Sequence, residues 1–169
     1  MNLIPNAMAL GFGDQARTYD ELNKKANQVA LLLQRKGIKQ ELTVAIWVER
    51  SLEMMIAILG VLKAGGAYVP IDLNHPQERI QFMLEDTGAT ILLTQEYLKN
   101  NIVANKNSEV ICLDTDWGKI KKEKTSKPSC KKLSGNLIYT IYTSGSTGKP
   151  KGVQVEDRNV VNLIQVKKH

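Results

Sequence analysis

The strongest constraint on the fold is an alternation of strand-like and helical patterns along most of the chain. Residues 42–48 (LTVAIWV) form a nearly continuous β-prone apolar run, which is typical of a strand buried on both faces of a parallel sheet. Further strands are predicted at residues 67–71, 90–93, 110–113 and 137–142. This alternation predicts an α/β fold, a layered, largely parallel sheet flanked by helices. Ligands of such sheets bind at the carboxyl ends of the strands.

Capping residues mark the helices between these strands. Thr18 and Glu21 have the spacing of a capping box at the start of a helix. Gly37 is predicted to end that helix. Ser51 is predicted to cap a helix that runs through Leu62. The remaining predicted starts are Pro76 as a first helical position, Thr94 as the cap of a short helix, Asp114 or Asp116 as the cap before Trp117, and Asp157 near the start of a last helix.

Composition excludes several classes of protein. The 169 residues are 43% hydrophobic, which is ordinary for a globular domain. The longest apolar run, residues 54–62, is far shorter than the roughly 20 residues of a membrane span. The first residues show no basic cluster ahead of an apolar stretch, so we expect a cytoplasmic protein without a membrane partner. Cys112 and Cys130 are expected to be reduced thiols, one in a strand and one in a loop.

The net charge of +6 is concentrated in residues 119–132, which contain seven lysines and one acid. A run of this kind could bind nucleic acid or another anionic surface. It contains neither arginine nor an aromatic residue, however, so base-reading and stacking groups are missing. We therefore interpret residues 119–132 as a solvated lysine-rich connector and expect no nucleic-acid partner.

The most informative segment, residues 143–152 (TSGSTGKPKG), follows the strand predicted at 137–142. Its glycines let the backbone approach a ligand closely, and its hydroxyl and ammonium groups suit a polyphosphate. It is not a Walker A loop, because Thr143 stands in place of the first glycine and Pro150 follows Lys149. A flexible linker is the alternative. The candidate phosphate-binding residues are Thr143, Ser144, Gly145, Ser146, Thr147, Gly148, Lys149 and Lys151.

Residues 142–152 (YTSGSTGKPKG) resemble the phosphate-loop motif of AMP-forming adenylating enzymes. Residues 18–22 (TYDEL) and 62–72 (LKAGGAYVPID) resemble two further motifs of one branch, the adenylation domains of nonribosomal peptide synthetases, which serve secondary-metabolite biosynthesis. The resemblance covers nearly the whole chain in the right order. It implies that residues 1–169 are a partial adenylation domain, an incomplete N-terminal subdomain that ends soon after the phosphate loop.

The resemblance also implies a chemistry. The family binds ATP with Mg²⁺ and an amino acid, forms an aminoacyl adenylate and pyrophosphate, and passes the aminoacyl group to the phosphopantetheine thiol of a carrier protein. Carrier-protein and condensation domains are thus the implied partners. By similarity, Ser144, Ser146 and Thr147 would donate hydrogen bonds to phosphate oxygens, and Lys151 would balance the charge of the leaving pyrophosphate.

The family's amino-acid pocket, adenine contacts, Mg²⁺-binding acid and catalytic lysine come later than the phosphate loop. We therefore assign no catalytic or metal-binding residue to residues 1–169 and expect the chain alone to be inactive. Asp157 stands where the family commonly has a histidine, which puts any role of that histidine in doubt. Two alternatives stay open, a non-catalytic truncated module that retains a phosphate loop or docking surface, and a fragment of an acyl- or aryl-acid–CoA ligase.

Overall fold

The computed structural model describes residues 4–101, 108–131, 133–143 and 150–166. The strands are β1 (Met8–Phe12), β2 (Gln15–Thr18), β3 (Thr43–Ile46), β4 (Ala67–Pro70), β5 (Ile91–Thr94), β6 (Glu109–Cys112), β7 (Leu137–Thr143) and β8 (Lys151–Glu156). The helices are α1 (Tyr19–Arg35), α2 (Leu52–Ala64), α3 (Gln77–Asp86), α4 (Glu96–Lys99), α5 (Trp117–Ile120) and α6 (Asp157–Val166). Within these ranges no helix has the length and apolar character needed to cross a membrane.

One six-stranded sheet organises the chain, in the order β6-β5-β3-β4-β7-β8. The first five strands run parallel, and β8 joins the edge antiparallel to β7. The predicted α/β fold with a largely parallel sheet is confirmed. Sequence analysis missed β8 and the antiparallel β1–β2 hairpin. β8 was missed because it begins inside the glycine-rich motif, and the hairpin was missed because its strands precede the first helix and lie outside the alternation of strands and helices.

The sheet has a separate hydrophobic core on each face, because successive side chains of a strand point to opposite faces. In β3, Val44 and Ile46 pack with α1 and α2 in one core, whereas Ala45 packs with α3 in the other. In β5, Ile91 and Leu93 join the first core and Leu92 the second. This explains the nearly continuous apolar runs in the central strands.

The capping predictions are largely confirmed. Thr18 and Glu21 form a complete capping box at the start of α1, and the Ser51 hydroxyl accepts a hydrogen bond from the Met54 amide at the start of α2. Thr94 was the wrong cap for α4. Its hydroxyl donates to the Trp47 carbonyl at 2.8 Å, so the N-cap position falls to Gln95.

Two helices begin differently from the prediction. Pro76 occupies the N-cap position of α3, one residue before the first helical position predicted for it. Asp116 is at the N-cap position of α5 but makes no side-chain cap bond there. Its Oδ2 instead accepts from the Cys112 amide at 3.0 Å, which ties the start of α5 to the end of β6.

The lysine-rich segment crosses the helices α1 and α2, because the chain must pass from β6 at the sheet edge to β7 beside β4. We call residues 121–131 the strap. Its backbone carbonyls accept hydrogen bonds from four amide side chains of α1 and the residues after it. These bonds are Asn27 Nδ2 to Thr125 O (2.7 Å), Gln28 Nε2 to Lys121 O (3.0 Å), Gln34 Nε2 to Ser129 O (3.0 Å) and Gln40 Nε2 to Lys131 O (2.7 Å).

The strap also contacts the end of α2. Gly65 caps α2 in the left-handed conformation with φ of 97°, which favours glycine. A Cβ on Gly65 would lie only 2.7 Å from the Cys130 sulfur, so glycine also leaves the room that the strap needs. Pro128 is buried, whereas the described lysines of the strap are all exposed. The strap is therefore ordered through its backbone while its ammonium groups face solvent.

Candidate functional site

The predicted phosphate-binding residues connect β7 to β8. Thr143, the last residue of β7, lies opposite Lys151, the first residue of β8, and both are exposed. The other predicted site residues lie outside the described part of the chain, namely Ser144, Gly145, Ser146, Thr147, Gly148 and Lys149. The described geometry therefore places the two ends of the candidate loop side by side at the end of a two-stranded ribbon.

That ribbon ends at the ligand-binding edge of the sheet. β7 runs parallel to β4, and β4 runs parallel to β3, so the carboxyl ends of all three strands meet at one edge. An open cleft of about 520 Å³ lies at the same edge, after β3 and β4. It is lined by Val48, Glu49, Arg50, Met54, Ile71, Asp72, Leu73 and Asn74. Open α/β sheets bind their ligands in this location.

Asp72 in this cleft is mainly a turn residue. Its Oδ1 accepts hydrogen bonds from the Asn74 backbone amide at 2.8 Å and from the Asn74 side-chain amide at 3.1 Å. The backbone bond from Asn74 lowers the pKa of the Asp72 carboxyl, and the nearby charges of His75 and Arg50 act in the same direction. These hydrogen bonds make Asp72 a stabiliser of the turn after β4.

Tyr142, the residue before Thr143, connects the ribbon to helix α3. Its hydroxyl donates to Asp86 Oδ2 at 2.5 Å, and its ring meets the Phe82 ring edge-on at a centroid distance of 6.3 Å. Burial raises the pKa of the Tyr142 phenol, and the hydrogen bond to Asp86 adds to this effect. Sequence analysis missed Asp86, because nothing in a single sequence links it to a tyrosine 56 positions away.

The segment after the ribbon is fixed at its start. The Asp157 amide donates to the Asn136 carbonyl and the Arg158 amide to the Ser134 carbonyl, each at 2.9 Å. Arg158 also forms an ion pair with Glu156. The predicted helix near Asp157 is confirmed as α6.

No three His, Cys, Asp or Glu side chains gather into a possible metal site within the described ranges. Asp114 and Asp116, considered above as caps, bind protein groups. Asp114 accepts from the Glu96 amide at 3.1 Å through either oxygen. Asp116 Oδ1 accepts from Lys119 Nζ at 2.7 Å. Both carboxylates thus stabilise the short helices α4 and α5.

Comparison with known proteins gives the family. The model of the AMP-binding enzyme family matches residues 2–169. The chain belongs to this family. Within it, the chain corresponds to the N-terminal portion of an adenylation domain of nonribosomal peptide synthetases, as the curated and solved relatives agree.

The curated relatives of this family member include peptide-antibiotic synthetases. It is 46% identical over 161 residues to gramicidin S synthase 2 from Brevibacillus brevis, covering 95% of the chain and 4% of that protein. It is 43% identical over 161 residues to zwittermicin A synthase ZmaJ from Bacillus cereus, covering 95% of the chain and 30% of that protein. The chain thus spans a small part of the length of these relatives.

Solved adenylation structures have the same fold. The nonribosomal peptide synthetase FmoA3 in its AMPPNP-bound form superposes with a TM-score of 0.87 at 34% identity, over 95% of this chain and 17% of that one. The N-terminal subdomain of NpsA from Klebsiella oxytoca superposes with a TM-score of 0.79 at 30% identity, over 94% of this chain and 40% of that one.

Proposed function

We propose that this chain supplies the triphosphate-binding part of an amino-acid-activating adenylation site. In that reaction an amino-acid carboxylate oxygen attacks the α-phosphorus of ATP. A carboxyl–phosphate bond forms, the bond from the α-phosphorus to the bridging oxygen breaks, and pyrophosphate leaves. The role of residues 143–151 is to bind the β- and γ-phosphates and to stabilise the charge that develops on pyrophosphate.

The observation that carries the proposal is the place of the loop ends. Thr143 and Lys151 lie opposite each other, exposed, at the carboxyl edge of a parallel sheet. A glycine-rich segment between them can direct backbone N–H groups at an anion, and the Lys151 ammonium adds a positive charge. The proposed phosphate site consists of Thr143, the predicted site residues 144–149 and Lys151.

The substrate class rests on similarity. The relatives are peptide-antibiotic synthetases, which favours an amino acid over the fatty or aryl acid of the alternative. FmoA3 was solved with AMPPNP bound, which supports ATP as the nucleotide. Mg²⁺ would be held by residues outside this segment, and the aminoacyl group would pass to a carrier-protein phosphopantetheine. We propose that turnover needs these further parts and that the chain alone binds ATP without adenylating.

The test combines ATP titration by calorimetry with amino-acid-dependent ATP–pyrophosphate exchange, using a pool of amino acids. The variants are Ser144→Ala with Lys151→Ala, and the matched control is Lys39→Ala, which removes an exposed lysine far from the loop in sequence. We expect ATP affinity to fall by at least about tenfold in the double variant, as for one to two charge-assisted contacts. The control should bind like the wild type.

Equal ATP affinity in all three proteins would contradict the phosphate site. Exchange above background from the wild-type chain would contradict the proposed dependence on further parts and would show a more complete site. No exchange, together with loop-dependent ATP binding, is the result that the proposal expects.

A further inference from the structure

The end of the β7–β8 ribbon has little lateral support from the sheet. In the described register β7 pairs with β4 only at Tyr139, opposite Tyr68, whereas its pairing with β8 continues to Thr143. We call residues 140–143 and 151–154 the stem of the loop. β8 is an edge strand whose first four residues are exposed. The stem therefore extends beyond the paired part of the parallel sheet.

Tyr142 connects this stem to the body of the domain. Its hydroxyl donates to the carboxylate of Asp86, the last residue of α3, and its ring packs edge-on against Phe82. Hydrogen bonds to a charged acceptor are stronger than neutral ones. This contact lies one residue from Thr143, where the predicted phosphate site begins.

Gly152 makes room for the same ring. It lies opposite Tyr142 in the β7–β8 register. A Cβ at this position would lie 3.1 Å from Tyr142 Cζ and 3.0 Å from Thr140 Cγ2, closer than ordinary van der Waals contact. A side chain at position 152 would therefore press on the tyrosine ring. The ring lies between α3 on one side and the backbone of Gly152 on the other.

We propose that Asp86 and Tyr142 are positioning residues for the phosphate site. Their hydrogen bond fixes the stem on α3 and so fixes the relative placement of Thr143 and Lys151. This inference rests on the proposed function, which assigns phosphate binding to these residues, and extends it to an acid in a distant helix. Asp86 does not contact the phosphates; it acts through Tyr142.

The variants that test this are Tyr142→Phe, which removes only the hydroxyl, and Asp86→Ala, which removes the acceptor. Asp86→Asn retains a carbonyl oxygen that can accept the hydrogen bond. Its changes in stem exchange and ATP affinity should therefore be smaller than those of Asp86→Ala. Gly152→Ala presses on the ring while leaving both partners in place. The matched control is Tyr139→Phe, on the same strand, whose hydroxyl makes no hydrogen bond within the described residues. Circular dichroism and urea unfolding report whether each variant folds and how stable it is.

Two readouts separate positioning from general stability. Native-state hydrogen exchange of the stem amides should become about fivefold to tenfold faster in Tyr142→Phe and Asp86→Ala, the size expected for one hydrogen bond. Amides in β3 and β5 should change only as global stability changes. ATP affinity measured by calorimetry should fall by a similar factor in these variants and in Gly152→Ala, and should be unchanged in Tyr139→Phe.

The inference is overturned if stem exchange changes only in proportion to global stability, or if Tyr139→Phe has the same effect as Tyr142→Phe. Equal ATP affinity in every variant also overturns it and leaves the proposed function intact. If the wild-type chain binds no ATP, the proposed phosphate site fails and this inference fails with it. A stem that still responds to Tyr142→Phe would then show only a structural contact.

Discussion

The central strands and the β7–β8 end of the molecule differ in how completely they are buried. All four residues of β5 are buried, and β3 contributes to cores on both faces of the sheet. At the other end, Ile141 and Val153 are 44% and 50% exposed, and Leu163 and Ile164 of α6 are 58% and 55% exposed. The candidate phosphate site belongs to the second region. The residues that stabilise the fold and the residues proposed to bind ATP are thus largely separate sets.

This separation has a physical meaning. Binding elements tend to come from the less stable parts of a protein, because they must adjust to a ligand. Stability measured for the whole chain should therefore report mainly on β3, β4, β5 and the helices that cover them. Substitutions at the β7–β8 end should affect binding with little effect on global unfolding.

Leu93→Ala should have the largest effect on stability. Leu93 is 1% exposed in the core under α1 and α2, and truncating such a leucine costs about 2–5 kcal/mol. Urea unfolding measures the loss. Ile164→Ala in α6 is the matched control, since its side chain is 55% exposed, and it should lose less than about 0.5 kcal/mol. Similar losses of stability in both variants would contradict the proposed difference in stability between the two regions.

Gln28→Ala should have an intermediate effect and tests whether the strap belongs to the stable region. The Gln28 amide donates to the carbonyls of Lys121 and Glu123, and leaving these groups unpaired should cost about 1–2 kcal/mol. Limited digestion with trypsin should then cleave faster at the strap lysines. Gln81→Ala, an exposed change on α3, should leave both stability and cleavage unaltered. A strap that resists trypsin equally in both variants would contradict this role.

Asp116→Asn should have the smallest effect, about 1 kcal/mol at pH 7, and its effect depends on pH. The hydrogen bond from Lys119 lowers the pKa of the Asp116 carboxyl, and the bond from the Cys112 amide acts in the same direction. A lowered pKa stabilises the fold above the unfolded value of about 3.9, and this stabilisation is lost as the pH falls through the lower folded value. In urea unfolding, the wild type and the variant should therefore begin to converge below about pH 4 and should converge fully only below the lowered pKa of Asp116.

Asp14→Asn, which removes one carboxylate from the β1–β2 turn, is the control for the change in net charge. A gap between wild type and Asp116→Asn that stays constant down to pH 2 would assign the effect to lost packing instead of charge.

The elements that the sequence predicts well are those where local signals and burial agree. The apolar run at 42–48 becomes β3, and Thr18 and Glu21 form the expected capping box. Thr94 was misassigned because its hydroxyl finds a partner across the sheet, at Trp47, instead of in its own helix. The strap has the composition of a solvated connector, and its hydrogen bonds come from amide side chains more than 90 positions away, which no local pattern reveals.

The candidate site is predictable to a similar degree. The glycines and lysines after β7 are read directly from the sequence, and the structure places their two described ends, Thr143 and Lys151, side by side. The contact between α3 and the candidate site could not be predicted from the sequence, because only the packing of α3 on the sheet brings Asp86 to Tyr142. Local chemistry is visible in a sequence, whereas a positioning contact depends on the tertiary fold.

The crossing of the strap over the helices has a consequence for the order of folding. The hydrogen bonds of the strap require α1 to be in place, and β7 pairs with β4 through residues 68 and 139, which are 71 positions apart. Contacts of long sequence separation form late, because closing a long loop must precede any gain from the contact. We therefore expect the β7–β8 ribbon to join last in refolding. Recovery of ATP binding would then mark the final step of assembly.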